Sequence, residues 1–163
     1  MTTSTSSLII PALDSNDSAA KIAVGTTVPL SDGGSAIYVS AGSEIAQFNA
    51  VAINADNSVV NLTTGVITDT TGSSKQVGFA QTSIASGNYG WVQKGGRPKV
   101  KLATDCADQV PLYTTATPGV LDDAVVSIGL VVGVVSTVTI SNATAITCIV
   151  PADAHINTYA VQA

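Results

Sequence analysis

The sequence predicts an all-β fold: a compact β-barrel or β-sandwich-like domain with short or no helices and an extended N-terminal arm. Three observations point there. Runs rich in Val, Ile, Thr and aromatic residues recur about every 8–12 residues between Gly, Pro, Asn and Asp turn signals. Helix signals are thin, and only Ser43–Gln47 and Ala103–Val110 could hold a turn or two. Of 163 residues, 45% are hydrophobic and only 10% charged, which suits strands packed against other subunits more than a freely soluble monomer. The length is that of one domain able to bury roughly 70% of its unfolded surface.

Residues 1–20 differ from the rest. A Ser/Thr tract leads into Leu8-Ile9-Ile10-Pro11-Ala12-Leu13, followed by the polar Asp14-Ser15-Asn16-Asp17-Ser18. An apolar hexapeptide between two solvated stretches cannot form a core alone. It is either a first strand or an arm that docks on a neighbour, with Leu8, Ile9, Ile10, Pro11 and Leu13 as the partner-binding residues. Residues 21–150 form the β-rich domain, and 151–163 form a C-terminal tail.

Within the domain, Ser31-Asp32-Gly33-Gly34 is a turn and Ala36–Ser40 a strand. Val51 and Ile53 alternate into the turn Ala55-Asp56-Asn57-Ser58, from which Val59-Val60 to Leu62 returns as a hairpin partner. A short strand is expected at Val66-Ile67. Val77 and Phe79 share one face with Gly78 and Ala80 on the other, small residues that suit a tightly curved barrel. Tyr89, Trp91 and Gln93 share a face. Lys99-Val100-Lys101-Leu102 alternates, which turns the lysines to solvent and Val100 and Leu102 inward. Pro111-Leu112-Tyr113 is a strand before the turn Thr117-Pro118-Gly119. Ile128–Val135 is dense enough in Val for a buried strand. Val138-Ile140, the turn Ser141-Asn142-Ala143 and Ile146-Cys148-Val150 make a late hairpin. No internal repeat of solenoid length is visible.

Material for chemistry is scarce. With one His and two Cys, neither a zinc cage nor a disulfide framework is specified, and Cys106 and Cys148 are expected as small buried thiols. His155 has no nucleophile elbow beside it, and no phosphate loop, dinucleotide fingerprint or HExxH is present. Asp122-Asp123 and Asp105 with Asp108 supply too few carboxylates for calcium and are expected as solvated turn acids. No catalytic residue, cofactor or metal is therefore assigned. A net charge of −5 argues against direct nucleic-acid or membrane-surface binding. No apolar run reaches the roughly 20 residues of a membrane span, and no export signal is seen.

The positive charge is clustered: Lys94, Arg97, Lys99 and Lys101 lie around the reversal Gly95-Gly96-Arg97-Pro98. On a hairpin they are either a solvated tip with pairing-resistant edge lysines or a docking patch for an acidic protein surface.

The stretch Gln76-Val77-Gly78-Phe79-Ala80-Gln81 runs through Ile84-Ala85 to Tyr89-Gly90-Trp91-Val92-Gln93. Then come Val110-Pro111-Leu112-Tyr113 and Ala116-Thr117-Pro118-Gly119-Val120-Leu121-Asp122-Asp123. This order resembles the head decoration (capsid-stabilising) proteins of tailed bacteriophages, and Gly25–Val28 through Tyr38-Val39 to Ile45–Phe48 is similar to the same group. The resemblance covers most of residues 25–135; the chain after Ser136 does not match. It implies a barrel-like fold, usually a homotrimer, made in the host cytoplasm and seated on the outer surface of the virion's capsid. There it would bind the major capsid protein through contacts that include an N-terminal arm, and it implies no catalysis. Two other readings of the residues are a different virion part, such as a tail-tube or fibre-base subunit, and a carbohydrate-binding β-module with Trp91 and Tyr113 as stacking platforms.

Overall fold

The computed structural model describes residues 13–67, 75–125, 129–142, 144–150, 154, 156 and 157. Most of the expected arm (1–12), His155 and most of the C-terminal tail lie outside the described residues. What is described is almost wholly strand, as expected, and it closes into two barrels of five strands each.

The first barrel runs β2 (Ser35–Ala41), β4 (Ser58–Asn61), β3 (Ala50–Ile53), β5 (Gln76–Ala80), β6 (Tyr89–Lys94) and back to β2, with β1 (Thr27–Pro29) added outside β2. The second runs β7 (Lys99–Leu102), β9 (Leu121–Asp122), β8 (Pro111–Thr114), β10 (Leu130–Ser136), β11 (Thr144–Ile149) and back to β7, with β12 (Ile156–Asn157) beside β10. In each ring one pair is parallel, β2 with β4 and β7 with β9, and every other pair is antiparallel. The two barrels are thus one topology repeated in tandem. Registers agree residue by residue: Ala41 faces Val59 as Leu102 faces Leu121, and Ala80 faces Val92 as Ser136 faces Cys148. Phe48 and Gln109 occupy the same place and both have positive φ, 65° and 56°.

Interior positions follow the alternation of the strands. Ile37, Val39, Val51, Ile53, Val59 and Val92 fill the first barrel, and Val100, Leu102, Leu112, Leu121 and Cys148 fill the second. Closing only five strands leaves little room, and Gly78 is required for it: a Cβ there would lie 2.3 Å from Val92 Cγ1. The outward residues of the first barrel are covered on two sides. Ala50, Ala52, Val77 and Phe79 pack into the core of the second barrel. Ala36, Tyr38 and Trp91 lie beneath Leu13, Ile22, Val24, Val28 and Leu30, each such apolar side chain contributing on the order of 1.5–3 kcal/mol when fully buried.

Several local expectations change. Val66 and Ile67 belong to a single helical turn, α1 (Thr64–Ile67), because the Thr63 hydroxyl and carbonyl both accept from Val66 N and cap it. Ser43–Gln47 and Ala103–Val110 are not helical; Ile45 is instead tied to Ile84 by a two-way backbone bridge. Val138–Ile140 is not a strand, because Ser136 Oγ donates to Val138 O at 2.7 Å and turns the chain at the end of β10. The expected buried strand at Ile128–Val135 begins at Leu130, and its register shifts against β8 between Val131 and Val135. The resulting bulge leaves Gly133 exposed.

Candidate interaction surfaces

Each barrel has a leading face, on β2/β6 or β7/β11, and a trailing face, on β3/β5 or β8/β10. At the seam between the barrels the trailing face of the first meets β7 and the turn before β9 of the second. Lys101 N donates to Phe48 O at 2.9 Å, Ala50 N to Gly119 O at 2.9 Å, and Gly119 N to Leu62 O at 2.8 Å. Gly119 has φ +73°, and a Cβ there would sit 2.3 Å from Asn49 Cγ. Only glycine both adopts this φ without strain and leaves room for the buried Asn49 side chain.

The leading face of the first barrel carries the described start of the chain. Asp17 exchanges two backbone hydrogen bonds with Tyr89, and its carboxylate accepts from Tyr38 Oη at 2.9 Å and pairs with Lys21. The Lys21 ammonium holds the Asp17 carboxyl below the usual range, while burial pushes the Tyr38 phenol up. Asn16 Oδ1 accepts from Ala85 N and Asn88 Nδ2. Residues 13–17 are therefore fastened to the barrel, and Leu13, expected with the partner-binding arm, packs on its own chain.

The basic cluster is not on a hairpin. β6 pairs with β2 and β5 in the first barrel, β7 with β9 and β11 in the second, so residues 95–98 are a crossover between barrels. Backbone polar groups satisfied within two different sheets leave none to pair β6 with β7. Asp32 secures the crossover, accepting from Gln93 Nε2 at 2.7 Å, Arg97 N at 2.9 Å and Gly34 N at 3.0 Å. Partial burial pushes its carboxyl up, but those three donors outweigh it and hold it below the usual range. Lys94 Nζ donates to Gln76 Oε1, Lys99 Nζ stands 5.7 Å from the Phe48 ring centroid, and Arg97 is exposed. Among the described residues no carboxylate forms an ion pair with Lys94, Arg97, Lys99 or Lys101. Lys99 and Lys101 turn outward from β7 and Val100 and Leu102 inward, as their alternation predicts.

Cys106 and Cys148 are both free and buried. They occupy the positions that Ile45 and Val92 hold in the first barrel. Burial, with Asp123 and Asp122 nearby, pushes the Cys106 thiol up to about 11; burial pushes Cys148 up to about 12. Asp122 and Asp123 are half-buried, with ligand atoms within 4.8 Å of the Cys106 sulfur, so they are not solvated turn acids. Asp123 already accepts from Ala107 N. A thiol kept protonated and two carboxylates fall short of the four donors of a zinc site or the six to eight oxygens of a calcium site.

Two further surface facts bear on function. Trp91 and Tyr113, the rings a stacked sugar would need, are 5% and 7% exposed. On the trailing face of the second barrel, a groove of about 280 Å³ is lined by Gln109, Val110, Pro111 and residues 130–135. Ile149, 48% exposed, faces Val135 at its edge. The groove arises from the β10 bulge, which a reading of alternation alone does not reveal. No described helix is long and apolar enough to cross a membrane.

No known family model matches this chain, and no curated protein matches it.

Proposed function

We propose that this chain is a structural, non-catalytic protein of tailed-phage heads, a cement that binds the outer surface of the capsid. In this reading a homotrimer bridges several subunits of the major capsid protein and braces their joints against the pressure of packaged DNA. The observation that carries the reading is the open apolar groove on the second barrel, in a chain with 10% charged residues. A molecule so poor in solvated side chains, with apolar surface at one end and an apolar hexapeptide in its sequence, suits a life against other subunits. The resemblance of Gln76–Ala124 to head decoration proteins supplies the setting.

The mechanism is added contact area. Burying about 1,000 Å² per joint leaves several kcal/mol after the costs of association, and repetition over many equivalent joints raises the barrier to rupture. Lys94, Arg97, Lys99 and Lys101, unpaired by any described carboxylate, meet an acidic coat surface in this account.

Heads lacking the protein, heated with and without it, test the reading. Addition raises the temperature at which DNA is released; an unchanged release curve at saturating protein overturns it.

A further inference from the structure

The two barrels stack in one direction. The leading face of the first is covered by residues 13–30, and its trailing face is covered by the second barrel. The trailing face of the second barrel carries the groove. We propose that this groove receives Leu8-Ile9-Ile10-Pro11-Ala12 of a second copy of the chain, joining copies head to tail.

The tandem repeat identifies the surface. Ala50, Ala52, Val77 and Phe79, on the trailing face of the first barrel, are at most 1% exposed because the next barrel lies on them. The same face of the second barrel leaves Pro111 and Gly133 exposed and Val110, Leu130, Val132 and Val135 half-buried. Among the described residues the groove has no charged side chain in its lining. An uncharged, apolar occupant matches it.

Residues 8–12 have that chemistry, and their place in the chain suits a partner copy. Leu13 packs on the leading face of the first barrel, at the far end of the stack from the groove. In a head-to-tail row, the chain before Leu13 of one copy starts beside the groove of the next. Five extended residues span about 17 Å, and Pro11 biases Ile10 toward extended conformations, which lowers the entropy lost on docking. Such a contact is heterologous, so it closes into a ring or grows into a row. The inference builds on the arm but not on the viral setting.

The test uses three full-length proteins: the unaltered chain, an arm variant (Ile9→Asp with Ile10→Asp) and a groove variant (Val132→Asp). Light scattering after size exclusion gives a mass of two or more chains for the unaltered protein and of one chain for each variant. Mixing the variants restores a two-chain complex, because the groove variant supplies an arm and the arm variant supplies a groove. A single-chain mass for the unaltered protein, variants that associate like it, or a mixture that stays single-chain overturns the proposal. Should Val132→Asp fail to fold, a labelled peptide of residues 1–13 binds the arm variant, and no binding overturns the proposal. Decoration of heads is scored separately, so copies that fail to join yet still coat heads defeat this inference alone.

Discussion

Gln81 bonds both backbone polar groups of Lys99: Lys99 N donates to Gln81 Oε1 at 3.1 Å, and Gln81 Nε2 donates to Lys99 O at 3.1 Å. Lys99 occupies in the second barrel the place of Tyr38 in the first. There the same two groups are met by backbone, Tyr38 N donating to Thr26 O and Gly25 N to Tyr38 O. One amide side chain thus stands in for a strand and fastens barrel to barrel. Gln81→Ala removes both bonds and lowers stability by about 1–3 kcal/mol, read from urea midpoints. Gln47→Ala, which loses one exposed bond to Gln81 O, costs less than about 0.5 kcal/mol. Equal losses would contradict the role given to Gln81.

Acid stability carries the signature of Asp32. Its carboxyl titrates below the unfolded value in the folded state, so the unfolded chain binds protons first as pH falls. The stabilisation is complete above about pH 4 and is lost as pH drops through the lower folded value. Asp32→Asn is therefore less stable than the parent at pH 7 and has a shallower acid limb. Parallel limbs in denaturant midpoints taken from pH 7 to pH 2 would contradict this.

At the alkaline end the two thiols act in the opposite sense. Their folded values, about 11 and about 12, lie above the unfolded value of about 8.5. The unfolded chain ionises first, so stability falls as pH rises from about 8.5 toward the folded values. Cys106→Val with Cys148→Val flattens that limb. Because Val92 already fills the position of Cys148 in the first barrel, Cys148→Val alone costs less than about 1.5 kcal/mol. Native protein also resists thiol reagents at pH 8 until it is unfolded.

Trp91 is the one tryptophan and reports on the cover formed by residues 13–30. Removing residues 1–12 leaves its emission blue, whereas removing residues 1–30 exposes it and shifts the emission red. An unshifted spectrum in the longer deletion would show that Trp91 does not lie under that segment.

Much of the fold was legible in the residues. The hairpin of Val51–Ile53 with Val59–Val60 forms around Asn57 at φ 60°, and Gly78 marks the curvature the barrel needs. The tandem repeat was not legible, because the paired interior positions share apolar character but seldom identity (Ile45 with Cys106, Val51 with Leu112, Val59 with Leu121), and outward pairs such as Tyr38 with Lys99 share neither. The crossover at Gly95–Pro98 has the residues of a reversal, and only long-range pairing distinguishes a reversal within one sheet from a passage between two. The groove was hidden for a similar reason, since it depends on a bulge in β10. The apolar hexapeptide and the clustered cations were visible at once, but what they touch is set by other chains.

Electron microscopy of purified heads with and without the protein decides whether it coats the shell. Added density is expected at regularly repeated positions on the outside of the shell, each large enough for several copies of the double barrel. Heads that gain no outer density at saturating protein would contradict the proposed role.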